Sequence, residues 1–322
     1  MSDLKLQHFI PNEIIDIKPC GSWRGSRYLL DKKSAFALEM ALKTQRPLLV
    51  KGEPGLGKSY LARAAAAKLQ RQFLAEVINS QTEGQDLLWR YDPVARLNDA
   101  QEGKEGDALN PKHYINPGVL WWTFGWNSAA TQYNDVCRHK IYRPQTCQEG
   151  SLEHGMVLLI DEIDKAEPSL PNSLLEVLGN GGFDVPLLGE TMGQQANTPA
   201  PLVIITTNDE RELPAAFVRR CLVLHLKVDE SNLEQWLIER ASVHITNNQC
   251  SLPIKQLAAE QLKRDREQAD KQGLAKAGLA EYIDLLVALD EMTDKALKGK
   301  QREAYQAQLL AEIQDFVLKK AV

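Results

Sequence analysis

Residues 52–59 read G-E-P-G-L-G-K-S and match the phosphate-binding pattern G-x-x-x-x-G-K-[ST]. The glycines allow backbone N–H groups to turn inward around phosphate oxygens, and the helix that follows points its positive end at them. Lys58 is expected to neutralise β- and γ-phosphate oxygens, and the Ser59 hydroxyl to ligate Mg²⁺. The predicted nucleotide-binding residues are Gly52, Glu53, Pro54, Gly55, Leu56, Gly57, Lys58, Ser59 and Tyr60. The alternative is a glycine turn without a ligand.

Two carboxylates follow the apolar run M-V-L-L-I at residues 156–160. A buried strand that ends in this way places Asp161 and Glu162 at the carboxyl edge of a parallel sheet, where α/β proteins bind ligands. Asp161 is predicted to hold Mg²⁺, through water, and Glu162 to polarise an attacking water as a general base. Alternatively, both only cap the next segment. Asp164 and Lys165 are interpreted as solvent-facing or packing residues.

A third apolar run, at residues 202–207, ends in Asn208, whose amide can hydrogen-bond both a γ-phosphate and a water. Arg219 and Arg220 come shortly before the next apolar run, and an arginine there can stabilise the charge on a transferring phosphoryl group. A strand-end asparagine is also a common turn residue, and paired arginines are commonly solvated. Spacing alone leaves both alternatives open.

These side chains need a sheet to bring them together, and the chain provides candidate strands. Apolar, β-branched-rich runs at 156–160 and 202–206 are typical of strands that are buried on both faces of a parallel sheet. Such runs alternate with helical stretches, including an alanine-rich one at 61–69. The alternation predicts a doubly wound α/β domain over residues 28–228.

Three other regions differ from this alternating pattern. Residues 1–27, with their prolines and glycines, are predicted to form an irregular N-terminal arm. A polar, loop-rich stretch at about 81–155 is interpreted as an insertion that contains W-W-T-F-G-W at 121–126. After Val228 the strand signals stop, and helical spacing predicts a mostly helical second domain at 229–322.

Composition limits the classes of function. The 322 residues carry a net charge of −5, which does not favour a nucleic-acid surface. No apolar run approaches the roughly 18 residues that a bilayer crossing needs, and no signal peptide is evident, so a cytoplasmic protein without membrane partners is expected. The cysteines are Cys20, Cys137, Cys147, Cys221 and Cys250. Their scattered positions predict reduced thiols, with neither a disulfide framework nor a zinc site.

Taken together, the ordered motifs resemble those of MoxR-type AAA+ ATPases. They are the glycine loop, the L-L-I-D-E strand, D-E-I-D-K-A-E-P-S-L-P-N-S-L-L-E-V-L, and T-T-N-D-E-R-E-L-P-A-A-F-V-R-R-C. The resemblance covers residues 28–228 well. It implies a P-loop NTPase αβα sandwich with a smaller all-helical lid, ATP and Mg²⁺ as cofactors, and a homo-oligomeric ring, usually of six subunits.

The resemblance also implies roles for individual residues. Asn208 falls on the family's sensor-1 position, and Arg220 on its arginine finger, which acts across a subunit boundary with Arg219 assisting. The adenine pocket is expected near Tyr28 and Leu29. The aligned lid cation is Lys276, for which an exposed surface lysine is the alternative reading.

The insert is similar to the family's helix-2 insert, which faces the axial region of the ring. Its aromatic residues, Trp121, Trp122, Phe124 and Trp126, either pack the insert against the core or offer a contact surface to a client.

The function expected from these features is a Mg²⁺-dependent, ATP-hydrolysing ring that remodels or activates a protein client. A von Willebrand A-domain protein is the partner that the resemblance implies. One alternative is an ATP-gated assembly scaffold or switch with slow hydrolysis. A nucleic-acid-dependent motor is less favoured, because the chain is acidic and shows no appended nucleic-acid module.

Overall fold

The strands and helices of the chain come from a computed structural model, which describes residues 6–141, 143–147, 150–194, 198–274 and 276–313. The strands are β1 (Glu13–Ile17), β2 (Ser26–Leu30), β3 (Leu48–Lys51), β4 (Arg71–Val77), β5 (Trp89–Tyr91), β6 (Ile115–Pro117), β7 (Ser151–Asp161), β8 (Gly182–Val185), β9 (Glu190–Gly193), β10 (Leu202–Thr207) and β11 (Leu222–His225). The helices are α1 (Lys32–Thr44), α2 (Lys58–Leu69), α3 (Gly84–Leu88), α4 (Pro93–Gln101), α5 (Val119–Phe124), α6 (Trp126–Thr131), α7 (Ser169–Asn180), α8 (Ala215–Arg220), α9 (Leu233–Ala241), α10 (Leu252–Gln272), α11 (Leu279–Glu291) and α12 (Gly299–Ile313).

A five-stranded parallel sheet forms the centre of the α/β domain, in the order β11-β3-β10-β7-β4. Its central strands are buried on both faces, as the continuous apolar runs predict. In the register, Thr207 lies beside Lys51 and Ile205 beside Ile160. The carboxyl ends of β3, β7 and β10 are therefore neighbours at one edge. The predicted α/β P-loop fold is confirmed.

The N-terminal arm is more regular than its prolines and glycines predict. Strands β1 and β2 pair as an antiparallel hairpin, with Glu13 opposite Leu30 and Ile17 opposite Ser26. Ile15 and Ile17 of this hairpin are buried against the core. The prediction of an irregular segment up to residue 27 is wrong over the hairpin, because alternate side chains of β1 do find a core to pack against. Residues 1–5 lie outside the described part of the chain.

A disulfide joins Cys20, between the two hairpin strands, to Cys147, just before β7. The prediction of reduced thiols is therefore wrong for this pair, whose Cα atoms lie 5.2 Å apart although 127 residues separate them in sequence. No C-x-x-C spacing marks such a pair. Cys137, Cys221 and Cys250 are buried free thiols.

The inserted region contains the β5–β6 hairpin and four short helices, α3 to α6. Trp121, Trp122 and Phe124 on α5 are buried in the same apolar cluster as Leu158 of the central sheet. These three rings therefore pack the insert against the core and cannot serve as a contact surface. Trp126 is partly buried and lies against Trp122.

Helices α9 to α12 form the C-terminal helical region, with an apolar core of their own. Leu237 of α9, Leu262 of α10 and Leu286 of α11 are almost fully buried in it. The predicted boundary at residue 322 falls outside the described residues, which end at 313. No helix among the described residues has both the length and the apolar character that crossing a bilayer requires.

Candidate functional site

The glycine loop connects β3 to α2, and its glycines are needed for close backbone approach. A Cβ atom on Gly52 would lie 2.5 Å from the carbonyl oxygen of Leu226, and Gly57 has a φ of 82°, which favours glycine. Helix α2 begins immediately afterwards, at Lys58. The first N–H groups of α2 are therefore available to an anion inside the loop.

Lys58 is only 7% exposed, and its ammonium makes three hydrogen bonds. It donates to the carbonyl oxygens of Gly52 (2.7 Å) and Glu53 (2.9 Å), and to Oδ1 of Asn208 (2.6 Å). Burial lowers the pKa of Lys58, and the carboxylates of Asp161 and its neighbours oppose that shift. The loop and the polar end of β10 are thus joined by one cation.

Ser59 and Asp161 form the next contact, with Ser59 Oγ donating to Asp161 Oδ2 at 2.8 Å. The fully buried Thr206 donates its hydroxyl to Asp161 Oδ1 and accepts the backbone N–H of Glu162 at 3.0 Å. Both oxygens of Asp161 are therefore oriented by hydroxyl groups. Thr206 was not predicted as a site residue, because a threonine inside an apolar strand carries no sequence signal of its partner.

Ser59 and Asp161 suit Mg²⁺. It binds hard oxygen ligands, and it commonly uses one or two protein groups together with substrate phosphates and water. No group of three or more His, Cys, Asp or Glu side chains that could hold a metal occurs among the described residues. The Ser59 hydroxyl and the Asp161 carboxylate therefore fit a magnesium ion that is shared with phosphates.

Glu162 occupies the turn after β7 with φ 61° and ψ 45°, a left-handed conformation that is uncommon for a residue other than glycine. Its Oε2 accepts a hydrogen bond from the ammonium of Lys165 at 2.7 Å. This contact with Glu162 raises the pKa of Lys165. Lys165, interpreted from sequence as a solvent or packing residue, is half-exposed and pairs with the predicted general base.

Asp164 is only 3% exposed and fixes the backbone that carries Asn208. Its Oδ2 accepts the N–H groups of Asn208 (3.1 Å) and Glu210 (3.0 Å). Of the two readings of Asp164 from sequence, the structure agrees with a packing residue and not with a solvent-facing one. A buried carboxylate needs donors, and here they come from the neighbouring strand end. Sequence could not show which donors these are.

A cavity of about 450 Å³ opens above the loop, and we call it the loop cavity. It is lined by Trp23, Ser26, Arg27, Tyr28, Leu29, Pro54, Gly55, Leu56, Gly57, Lys58, Ser59, Tyr60, Asp161, Glu162, Asn208, Arg240, His244, Leu279, Ala280, Ile283 and Asp284. Its volume falls within the range of small-molecule sites. The structure thus brings the predicted Tyr28 and Leu29 to the same cavity as the loop. Burial raises the pKa of the Tyr28 hydroxyl.

The helical region contributes Arg240, His244 and Asp284 to the loop cavity, none of which was predicted. Arg240 lies over the ring of Trp236, 4.1 Å from its centroid. Burial lowers the pKa of His244. These residues lie about 180 to 230 positions after the loop in sequence and belong to none of the motifs described above, so no local signal identifies them.

Lys276 does not line the loop cavity, which agrees with the alternative of a surface lysine. Its ammonium lies 2.6 Å from Oδ1 of Asp270, at the end of α10. The segment that faces the loop starts slightly later, since a Cβ atom on Gly55 would lie 3.2 Å from Cβ of Ala280. The helical region therefore contacts the loop with a methyl group at Gly55, and it contacts Glu53 with a cation, since Arg266 Nη2 of α10 lies 3.3 Å from Glu53 Oε2.

Arg219 and Arg220 are also absent from the loop cavity; they are exposed at the end of α8. They line a second cavity, of about 630 Å³, together with Arg46 and Gln194, and we call it the arginine cavity. The structure therefore collects Lys58, Ser59, Asp161, Glu162 and Asn208 into one site and places both arginines elsewhere on the chain.

The chain matches the family described as AAA domain (dynein-related subfamily) over residues 47–221, more than half of its length. No match was found among curated proteins. A solved structure of a putative ATPase from Cytophaga hutchinsonii is 15% identical, with 88% of this chain and 79% of that chain covered and a TM-score of 0.38. RuvB, the Holliday junction branch migration motor of Thermotoga maritima, is 18% identical, with 90% and 70% covered and a TM-score of 0.45. Neither likeness carries an argument about function.

Proposed function

The chain belongs to the dynein-related subfamily of AAA domain proteins, and from that premise we propose that it is a Mg²⁺-dependent ATPase of MoxR type. One observation carries the proposal: Lys58, Ser59, Asp161, Glu162 and Asn208 all open into the loop cavity. A binding protein needs only the loop for phosphates. A carboxylate and an amide beside the expected γ-phosphate position are needed when a water must be activated and oriented.

In this proposal the reaction is an in-line attack of water on the γ-phosphorus of ATP. The water forms the new P–O bond, Glu162 accepts its proton, and the bond to the β–γ bridging oxygen breaks to leave ADP and phosphate. Glu162 first has to leave Lys165, since the two side chains are paired at 2.7 Å. Bound Mg²⁺, held by Ser59 and Asp161, would neutralise charge on the β- and γ-phosphate oxygens.

Lys58 supplies the positive charge closest to the phosphates, and Asn208 already lies within hydrogen-bond distance of it. We propose that Asn208 moves this contact to the γ-phosphate and the attacking water when ATP is bound. Asp164 keeps the backbone of Asn208 in place during that change, because Asp164 accepts the backbone N–H of Asn208 and leaves the Asn208 side chain free to move.

Arg219 and Arg220, the arginines expected to stabilise the transferring phosphoryl group, do not line the loop cavity of their own chain. We propose that Arg220, assisted by Arg219, completes the site of a neighbouring subunit in a homo-oligomeric ring, expected to have six subunits. Such a ring would remodel or activate a protein client, and a von Willebrand A-domain protein is the proposed partner.

The test is hydrolysis by the Glu162→Gln variant. It should retain nucleotide binding and lose turnover, since only the proton acceptor is removed. Glu167→Gln is the matched control, because Glu167 is an exposed carboxylate five residues later. Equal turnover in Glu162→Gln and the unmodified protein would overturn the assignment of the base.

A second candidate is an ATP-gated scaffold that hydrolyses slowly, and the Glu162–Lys165 pair favours it. In this conformation the proposed base is neutralised by a lysine of its own chain. Measuring turnover with and without a client separates the two functions. Stimulation by a protein client supports remodelling, whereas nucleotide-dependent assembly with unchanged slow turnover supports the scaffold.

A further inference from the structure

Arg46 lies just before β3, and its guanidinium donates to three successive carbonyl oxygens at the end of α8. Nη2 donates to Arg219 O (2.7 Å) and Cys221 O (3.0 Å), and Nε donates to Arg220 O (3.1 Å). The last carbonyls of a helix have no partner within the helix, and a basic side chain can satisfy them. Arg46 therefore caps the peptide groups from which the two arginine side chains extend.

Helix α8 also packs on the core through Phe217 and the partly buried Val218. The helix has six residues, and Phe217 is its one buried side chain. A helix of this length has almost no stability of its own and depends on outside contacts. Beyond its C-terminus, the N–H of Leu222 donates to Pro47 O at 2.8 Å, so adjacent residues 46 and 47 together clamp the end of α8.

The side chains of Arg219 and Arg220 are exposed, and neither makes a hydrogen bond or ion pair with another residue in the described parts of the chain. The arginine cavity that they line with Arg46 has no aspartate or glutamate among its described lining residues. Three arginines thus line one cavity with no carboxylate among its described lining residues. The anion that these groups suit, such as a phosphate, would have to come from outside the chain.

We infer that Arg46 is a positioning residue that fixes the direction in which Arg219 and Arg220 reach a neighbouring subunit's nucleotide. This inference rests on the proposed function, in which these arginines act in trans. A planar guanidinium can bond several carbonyls in a fixed geometry, whereas a lysine ammonium acts as a point charge on a flexible stem. Lysine at position 46 should therefore keep the charge and lose the positioning.

The experiment compares ATP turnover and nucleotide affinity of Arg46→Ala and Arg46→Lys with the unmodified protein. A small misplacement of a catalytic group can cost about 100-fold, so we expect kcat to fall by about that factor in Arg46→Ala, with nucleotide affinity unchanged. Arg96→Ala is the matched control: Arg96 also donates to a surface carbonyl, that of Leu109 at 2.9 Å, but lies on α4 of the insert. It should turn over normally.

Mixed oligomers show which site Arg46 serves. Subunits of Arg46→Ala have an intact phosphate loop, and subunits of Lys58→Ala have intact arginines. Mixing the two variants should therefore give a turnover above the sum of the turnovers of each variant alone. Mixing Arg46→Ala with Arg220→Ala should restore none, because both lack a positioned finger. The reverse pattern would mean that Arg46 acts on the loop of its own chain through β3, and would overturn the inference.

A third mixture separates this inference from the proposed function. Arg220→Ala mixed with Lys58→Ala should recover turnover if the finger acts in trans, whatever Arg46 does. Failure of that mixture refutes the proposed trans site itself. If Arg46→Ala melts early, Arg46→Lys carries the same comparisons, and a normal kcat in a folded Arg46→Lys refutes the positioning role.

Discussion

Lys58 and Asn208 are 150 residues apart in sequence, and Lys58 Nζ donates to Asn208 Oδ1 at 2.6 Å. The contact exists because β3 and β10 are adjacent parallel strands that end at the same edge of the sheet. An ammonium that already has an amide oxygen as partner is held in one position before a phosphate arrives. Such preorganisation is the means by which a protein site stabilises developing charge at little cost.

Replacing Asn208 tests this contact directly. We expect Asn208→Ala to bind nucleotide with near-normal affinity and to lose about 100-fold in kcat, because one oriented polar group at the transferring phosphoryl is removed. Steady-state kinetics and nucleotide titration measure the two quantities. Asn98→Ala, at an exposed position on α4, is the control. A loss of affinity without a loss of kcat would place Asn208 in ground-state binding instead.

Asp164 should matter for both turnover and stability. Asp164→Ala leaves the N–H groups of Asn208 and Glu210 without their acceptor, at a cost of about 1–3 kcal/mol in the free energy of unfolding. It should also lower kcat. Urea unfolding and turnover are the measurements. Asp164→Asn, which keeps an acceptor oxygen, should recover part of both, and an unaltered kcat in Asp164→Ala would show that the Asn208 backbone needs no such support.

Lys165→Met should raise basal turnover. The Glu162–Lys165 pair is partly exposed, and such pairs contribute up to about 1 kcal/mol, so release of the base should increase the rate by up to about fivefold. The measurement is ATP hydrolysis without a client. Lys295→Met, at an exposed lysine that is 3.9 Å from Glu291, is the control. A slower Lys165→Met enzyme would indicate that Lys165 assists the reaction.

Arg240 and Lys276 should differ in their effect on nucleotide affinity. Arg240 lines the loop cavity and Lys276 does not, so Arg240→Ala should weaken binding by about tenfold or more, whereas Lys276→Ala should leave it unchanged. Fluorescent-nucleotide titration of both variants makes each the control for the other. Equal weakening of nucleotide affinity in both variants would show that Lys276 does contribute to nucleotide binding.

Reduction of the Cys20–Cys147 disulfide should lower thermal stability. Its two cysteines are 127 residues apart in sequence, and the loop-entropy model assigns such a crosslink about 5 kcal/mol. We expect Tm to fall by several degrees in dithiothreitol. The Cys20→Ser, Cys147→Ser double variant should start at the lower Tm and not respond to the reductant. If dithiothreitol lowered the Tm of that variant by the same amount, the shift in Tm would not come from reduction of this disulfide.

Sequence predicts the sheet and most of the phosphate end of the site, for a physical reason. Strands buried on both faces must be apolar throughout, and Asp161 and Asn208 stand out because they end such runs. Tyr28, Arg240 and Asp284 meet only through packing of the hairpin and the helical region on the loop. The contacts of Asp164 and the Cys20–Cys147 pair likewise depend on distances across the fold, which no local pattern contains.

The separation of Arg219 and Arg220 from the loop cavity has a consequence for counting. If these arginines complete a neighbour's site, the number of working centres equals the number of contacts between subunits, not the number of subunits. A closed assembly then has one centre for every chain, an open row has one fewer than its chains, and a lone chain has none. Specific activity would therefore rise with protein concentration and level off once the assembly closes.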